Sequence, residues 1–446
     1  MAQRFVGGDR DQEWLLPPSM RDWLPADHLA WFVLDAVEQM DLSVFFGAYR
    51  QDGWGRPAFC PKMMVGVLLY AYSIGERSSR GIERRLREDV AFRILSGNVV
   101  PDHATIGRFR QRHERALGDL FFEVLRLCGE AGLVRVGVVA VDGTKIAANA
   151  ALSANRTDTQ LRAEVKRILG EAAQLDAQED KLFGEARGDE LPPELANRRS
   201  RLERLRAAKE RLQAQVAADK ERYERHVAER QEREQLRGRP LRGRKPRLPI
   251  TEPPVGAKAN PSDPDSRILK SQHGFIQGYN AQAAVTDAQI VIAAEIVDEG
   301  NDSRQLLPIT DAARAALHCA GIEDQIKCVL GDAGYWNLPQ LKALAADGID
   351  ALVSPDRGRS PDPGRPSRAL AAGSIAEWMR ERISGPEKSI YALRKQLVEP
   401  VFGQTKSNRR IDRIYRHGLP AAQSEWRLAC ATHNLLKLHR HQAATG

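Results

Sequence analysis

Two apolar runs in this chain each finish on an aspartate: Val-Gly-Val-Val-Ala-Val-Asp at 136–142 and Ile-Lys-Cys-Val-Leu-Gly-Asp at 326–332. A third acid, Glu399, stands in the basic stretch Tyr-Ala-Leu-Arg-Lys-Gln-Leu-Val-Glu-Pro-Val-Phe-Gly-Gln-Thr-Lys at 391–406. Carboxylate oxygens are hard ligands, suited to cations such as Mg²⁺. Two such ions about 4 Å apart stabilise both the attacking and the leaving oxygen of a phosphoryl transfer. Two acids on strand ends and one on a basic helix therefore predict metal-dependent cutting and joining of DNA, with Asp142, Asp332 and Glu399 as the ligands. Each acid also has a plainer explanation. Asp142-Gly143 is by itself a turn signal, and Asp332 in Gly-Asp-Ala-Gly reads equally well as a loop or helix cap. Pro400 removes a donor next to Glu399, so a helix there must kink or restart.

The elements that would position these acids begin at Leu133, where the texture turns to β. The nearly unbroken apolar run 134–141 predicts a strand buried on both faces. Phe275–Val285 and Gln289–Val297, joined by Thr286-Asp287-Ala288, predict a hairpin. A helix over 302–317 follows, then the strand ending in Asp332, a helix over 338–346, a short strand at 349–355, and helices over 388–408 and 423–438. That order is the ribonuclease H-like one, an α/β mixed sheet with flanking helices. Ligand crevices in such sheets lie at the carboxyl ends of strands. Asp142 and Asp332 then sit on adjacent central strands, with Glu399 on a helix crossing their ends.

Before this sheet, residues 1–130 predict an all-helical domain. Pro61 suits a first turn. In 77–95, Ile82, Leu86, Val90 and Phe92 can face a core while Arg80, Arg84, Arg85 and Arg87 stay wet. After a turn at Gly97-Asn98, Asp102 or Thr105 could cap a helix presenting Arg108, Arg110 and Arg112. Short basic helices suit phosphate contacts, and a bundle with a solvated arginine face fits as well. Residues 152–265 interrupt the sheet. Leu161, Val165, Ile168, Ala172 and Leu175, then Leu195, Leu202, Leu205, Leu212 and Val216, predict an antiparallel coiled-coil hairpin broken at 184–193. A basic tail at 236–247 and proline-rich sequence to Pro264 read as disordered, or ordered only on a partner. The hairpin fits a solvated strut, a dimer contact or a DNA contact. The domains expected are thus 1–130, 131–151 with 266–446, and 152–265.

Bulk properties agree with these assignments. A chain of 446 residues with 42% hydrophobic and 28% charged content is that of a soluble globular protein of more than one core. Its net charge of +8 makes a polyanionic partner plausible without requiring one. Five cysteines without paired spacing argue against a disulfide framework or zinc site. No signal-peptide pattern and no run near the ~18 apolar residues of a membrane span are found. A cytoplasmic protein, nucleoid-associated when bound to DNA, is expected.

Taken together, these residues resemble the DDE transposases of bacterial insertion sequences, in the group with a Tyr…Arg…Glu…Lys signature. The matching elements are Asp142-Gly-Thr-Lys, Gly-Tyr-Asn-Ala-Gln at 278–282, Gly331-Asp-Ala-Gly-Tyr, and Tyr391-x2-Arg394…Glu399-x6-Lys406. Arg-Ser-Ser-Arg at 77–80 and Pro-Asp-His-Ala-Thr-Ile-Gly-Arg-Phe-Arg at 101–110 are similar to that group's DNA-binding region. The resemblance implies a ribonuclease H-like catalytic domain, two Mg²⁺ or Mn²⁺ ions, and a homodimer on paired DNA ends. It also implies excision and insertion of the element through its terminal inverted repeats. Asp142, Asp332 and Glu399 would hold metal. Tyr391, Arg394 and Lys406 would contact phosphate near the scissile end, and Arg80, Arg84, Arg108 and Arg110 would contact DNA. Two departures stand out. Four residues separate Arg394 from Glu399 where the signature has three, which makes Lys395 an alternative for the arginine's place. The insertion follows the first strand and is helical. A nuclease or resolvase that does not join, a DNA-binding regulator derived from a transposase, and a helical scaffold are the competing readings.

Overall fold

The computed structural model of the protein describes residues 19–50, 57–168, 193–240, 257–271, 274–356 and 373–445. Its N-terminal part is helical: α1 (Leu29–Glu38), α2 (Ser43–Gly47), α3 (Pro61–Ser73), α4 (Ser79–Glu88), α5 (Val90–Leu95), α6 (His103–Arg112) and α7 (Glu114–Glu130). Pro61 opens α3, where its missing N–H is not needed. Asp89 ends α4 and caps α5, its carboxylate accepting from the Ala91 N–H at 2.9 Å. The helix axis therefore breaks there, and Val90, expected in the core, is 38% exposed while Ile82, Leu86 and Phe92 are buried. Asp102 caps α6 by accepting from the Thr105 N–H, and Gly97 and Asn98 form the expected turn with φ of 59° and 67°.

One arginine of α6 behaves differently from the expectation. Arg108 is exposed, but Arg110 turns inward. Its Nη1 donates to the Arg77 carbonyl at 2.7 Å, and its guanidinium lies 5.4 Å from the Tyr72 ring centre. Residues two apart on a helix point about 200° from each other, so 108, 110 and 112 cannot share one solvent face.

The strands are β1 (Val138–Ala147), β2 (Arg156–Thr157), β3 (Lys258–Ala259), β4 (Arg267–Ser271), β5 (Gly274–Thr286), β6 (Val291–Val297), β7 (Cys328–Gly331) and β8 (Asp350–Val353). The main sheet runs β5-β1-β7-β8, with β4 pairing the first half of β5 and β6 the second. β1, β7 and β8 are parallel, whereas β5 is antiparallel to β1 and β6, the latter pair being the expected hairpin. β1 starts later than the apolar run does and continues past Asp142 to Ala147. Asp142 is thus not at a strand end, as expected, but where one neighbour is lost. Pairing with β7 stops at Ala140–Leu330, and pairing with β5 goes on to Ala147–Gly278.

The remaining helices are α8 (158–168), α9 (Pro193–Arg237), α10 (Leu306–Cys319), α11 (Leu338–Ala346), α12 (Ile375–Ser384), α13 (Lys388–Gly403) and α14 (Leu419–Thr445). α8 and α9 pack as expected through Leu161, Ile168, Leu205, Ala208 and Leu212, and the β2–β3 ribbon closes their base. Ala172, Leu175, the break at 184–192 and most of the basic tail lie outside the described residues. Of the proline-rich stretch, residues 257–264 are described and packed against the fold, contrary to expectation. Asn260 and Asp263 are fully buried, and Asp263 accepts from the Tyr279 hydroxyl at 2.7 and 2.8 Å and from the Gly418 N–H at 3.1 Å. A buried carboxylate with these donors is satisfied, which is what lets so polar a segment join the sheet. No described helix is long and apolar enough to cross a membrane.

A single buried apolar cluster extends from Ala30 through the sheet to Leu438. α14 lies at its centre, against α7, α3 and β6. Across this contact Arg77, just before α4, pairs with Glu425 of α14 at 3.1 Å, both side chains being 2% exposed or less. Arg77 also donates to the carbonyls of Arg410 and Arg413. Removing one partner of such a pair strands the other charge in the interior. Glu425→Ala should therefore cost about 3–5 kcal/mol in urea denaturation. A loss below about 1 kcal/mol would show that water reaches Arg77 and that the pair is not a true interior contact.

Candidate active site

Asp332 directly follows β7 and caps the short 3-10 turn Ala333–Tyr335, accepting from the Gly334 N–H at 2.8 Å. Asp142 on β1 and Asp332 in the turn after β7 each lie two residues past the last parallel pair, Ala140–Leu330, and the charge of Asp332 acts on Asp142. Asp142 accepts from the Gly143 N–H at 2.8 Å, and Arg394 Nη1 lies 4.0 Å from its other oxygen. Burial pushes the Asp142 carboxyl up to about 6. The Gly143 N–H and Arg394 oppose that rise, while the charges of Asp332 and Asp302 add to it.

Helix α13 passes this pair without breaking at Pro400. Proline leaves the carbonyl four residues back without its helical donor. Here that carbonyl, of Gln396, accepts from Gln289 Nε2 at 2.9 Å, the donor coming from the β5–β6 turn. The face of α13 toward the sheet carries Tyr391, Arg394, Leu397, Val398 and Val401. The Tyr391 hydroxyl donates to the Gly331 carbonyl at 3.3 Å. Beyond α13, a π-helical turn (Gln404–Asn408) brings Lys406 over β1, where Nζ donates to Thr144 Oγ1 at 3.1 Å and the Lys145 carbonyl at 2.9 Å. Burial lowers the Lys406 pKa.

Glu399 is exposed. Five residues turn an α-helix by about 140°, so Glu399 projects from another side of α13 than Arg394 does. It shares that exposed side with Lys395, four residues earlier. The additional residue between Arg394 and Glu399 is the physical cause. Asp142 and Asp332 come together, but the expected three-acid group is not formed: among the described residues no group of three His, Cys, Asp or Glu is arranged to hold a metal.

Sequence reasoning did not single out Asp302. It opens the 3-10 turn Asp302–Arg304 before α10. Its Oδ1 accepts from Asn280 Nδ2 at 2.7 Å, Gln282 Nε2 at 2.8 Å and Lys145 Nζ at 3.5 Å. The available signal was in β5. Asn280 and Gln282 are polar residues at alternate positions of the fully buried part of the strand, and such groups demand partners.

The donor chemistry fits a hard divalent cation. Asp142 and Asp332 offer only carboxylate oxygens, and a cation between them relieves the repulsion that helps to keep Asp142 protonated. The raised pKa has a consequence for stability. With a folded value above the unfolded one, protonation favours the fold, so stability is full below about pH 4 and declines as pH rises through about 6. In chelator-treated protein, Asp142→Asn should therefore raise the melting temperature at pH 8, by the equivalent of about 2 kcal/mol, and leave it unchanged at pH 4. An equal or lower melting temperature at pH 8 would contradict the electrostatic description of Asp142.

Residues 18–112 match the family model described as Transposase domain (DUF772), and residues 253–435 match the one described as Transposase DDE domain. The second span contains Asp332, Tyr391, Arg394, Glu399 and Lys406, whereas β1 with Asp142, α8 and α9 lie between the two. No curated protein and no solved structure matches the chain. With an N-terminal transposase domain and a DDE domain in one chain, the protein belongs to the DDE-type transposases of insertion sequences.

Proposed function

We propose that this transposase recognises the terminal inverted repeats of its own element, hydrolyses the phosphodiester at the element ends, and joins the freed 3′-hydroxyls to target DNA. The observation that supports this reading is that Asp142 and Asp332 each lie two residues past the last β1–β7 pair, just where β7 leaves β1. Proteins of this family generally use divalent metals. Asp142 and Asp332 would be the ligands here, and a bound Mg²⁺ or Mn²⁺ pair supplies activation of a water or 3′-hydroxyl and screening of the phosphate. A ribonuclease H-like catalytic domain formed by 131–151 with 266–446, preceded by a DNA-binding region to residue 130 and interrupted by the α8–α9 arm, is the architecture this reading uses.

The chain's own groups divide the remaining tasks. Arg394, whose buried Nε has no partner, offers a donor to a scissile phosphate beside Asp142. Tyr391 and Lys406 hold α13 against the ends of β7 and β1, which keeps Arg394 there. Glu399, on the exposed side of α13, is the third ligand that this reading requires. Lys395, on the same exposed side as Glu399, contacts the DNA backbone, as do Arg80, Arg84 and Arg108. Arg110 is excluded from that group by its inward contacts. Two element ends must be processed together, so a homodimer on paired ends is the working unit.

Incubation with labelled element ends and Mg²⁺ tests this reading. Asp332→Asn should retain end binding and lose cleavage and strand transfer by at least a thousandfold, and retained cutting would remove Asp332 from the site. Nicked ends that never join to target would instead indicate a nuclease. Arg80→Ala and Arg84→Ala should each weaken end binding and lower the slope of log affinity against log salt by about 1. An unchanged salt slope would take these arginines off the DNA path.

A further inference from the structure

We infer that Asp302 is a positioning residue, which through Gln282 and Tyr335 locks the two acid-bearing segments into one frame. The inference rests on the proposed roles of Asp142 and Asp332 and adds the device that holds them together. Where β7 ends, β1 and the Asp332 turn share no further ladder bonds. The gap is spanned by side chains. Tyr335 closes the turn that Asp332 caps, is fully buried, and donates its hydroxyl to Gln282 Oε1. The same amide of Gln282 donates through Nε2 to Asp302. Asp302 in turn holds Asn280, which is paired across β5 with Lys145, and reaches the Lys145 ammonium itself.

The chain of contacts ends beneath the residue next to Asp142. A Cβ on Gly143 would meet Gln282 Nε2 at 2.4 Å, Asp302 Oδ1 at 2.8 Å and Asn280 Oδ1 at 3.1 Å. Only glycine lets the polar side chains close up under β1 at this point. Gln282 is 1% exposed and Asn280 is completely buried, so the link is held out of water, where hydrogen bonds are directional and costly to break. Gln282 is also fixed from its backbone, since its carbonyl accepts from Trp426 Nε1 at 3.0 Å. One side-chain amide, held by two neighbours and anchored through its own backbone, therefore fixes the turn bearing Asp332 relative to the strand bearing Asp142. Asp302 Oδ1 already accepts from three donors, which suits a group that orients others.

The test is the Mn²⁺ affinity of the full chain without DNA, read from the free-ion electron paramagnetic resonance signal. Outer groups that orient ligands typically alter metal affinity about 10–100-fold when removed. Tyr335→Phe and Asp302→Ala should each weaken Mn²⁺ binding about tenfold while metal-free end binding stays within twofold. The double variant should be no weaker than the worse single one, because both cut the same link. Ile82→Ala, which opens a cavity in the core of the helical region and touches no member of this network, should leave Mn²⁺ affinity unaltered, which separates positioning from loss of stability. Asp332→Asn is the reference. If it abolishes Mn²⁺ binding but Tyr335→Phe and Asp302→Ala bind within twofold of the natural chain, the positioning role is overturned and the site stands. If Asp332→Asn itself binds normally, the proposed site fails first.

Discussion

Everything at the site depends on β1 being held on both edges only as far as Ala140. Up to that residue the strand is central and rigid. Beyond it, β5 continues the ladder on one edge, while the other edge is open beside Asp142 and is taken up again only at Ala147, which bridges to Arg413. A strand ending at 142 would have left its carboxylate on a loose loop. A strand paired on both sides to Ala147 would have closed the edge. The half-paired segment gives the acid both rigidity and access, and places it as far past the last β1–β7 pair as the first residue after β7. The electrostatic cost is visible in Asp142, whose carboxyl is lifted by burial and by its acidic neighbours.

The rest of the fold keeps that strand and its neighbour in place. α14 is the main brace. Trp426 is bonded to the Gln282 carbonyl at 3.0 Å, and Asn434 takes both the N–H and the carbonyl of Val291 at 2.8 Å, clamping the start of β6. The N-terminal helices pack on the other side of α14, and the Arg77–Glu425 pair joins the two regions. The helical region is in this way joined to the helix that supports the main sheet. α13 is tied separately, through Gln289 to Gln396 and through Lys406 to β1.

Much of this was legible in the residues. Continuous apolar runs specify strands buried on two faces, so the central strands, the hairpin and the helices between them follow from periodicity alone. Asp332 at the end of β7 was equally plain. What escaped has physical reasons. The end of β1 could not be read because Asp142-Gly143 carries a turn signal that antiparallel pairing with β5 overrides. The continuity of α13 through Pro400 depends on a donor from Gln289, more than a hundred residues away. The orientation of Arg110 and the exposure of Val90 come from a helix period and a cap that only the fold resolves. Asp302 has no local signal at all, since its partners lie on two other strands.

The central claim is that Asp142 and Asp332 together form the seat of a catalytic cation. Anomalous diffraction from crystals soaked in Mn²⁺ measures this directly. The account requires a peak within about 2.3 Å of a carboxylate oxygen from each of the two aspartates. A peak bound by one of them alone, or by neither, would contradict it.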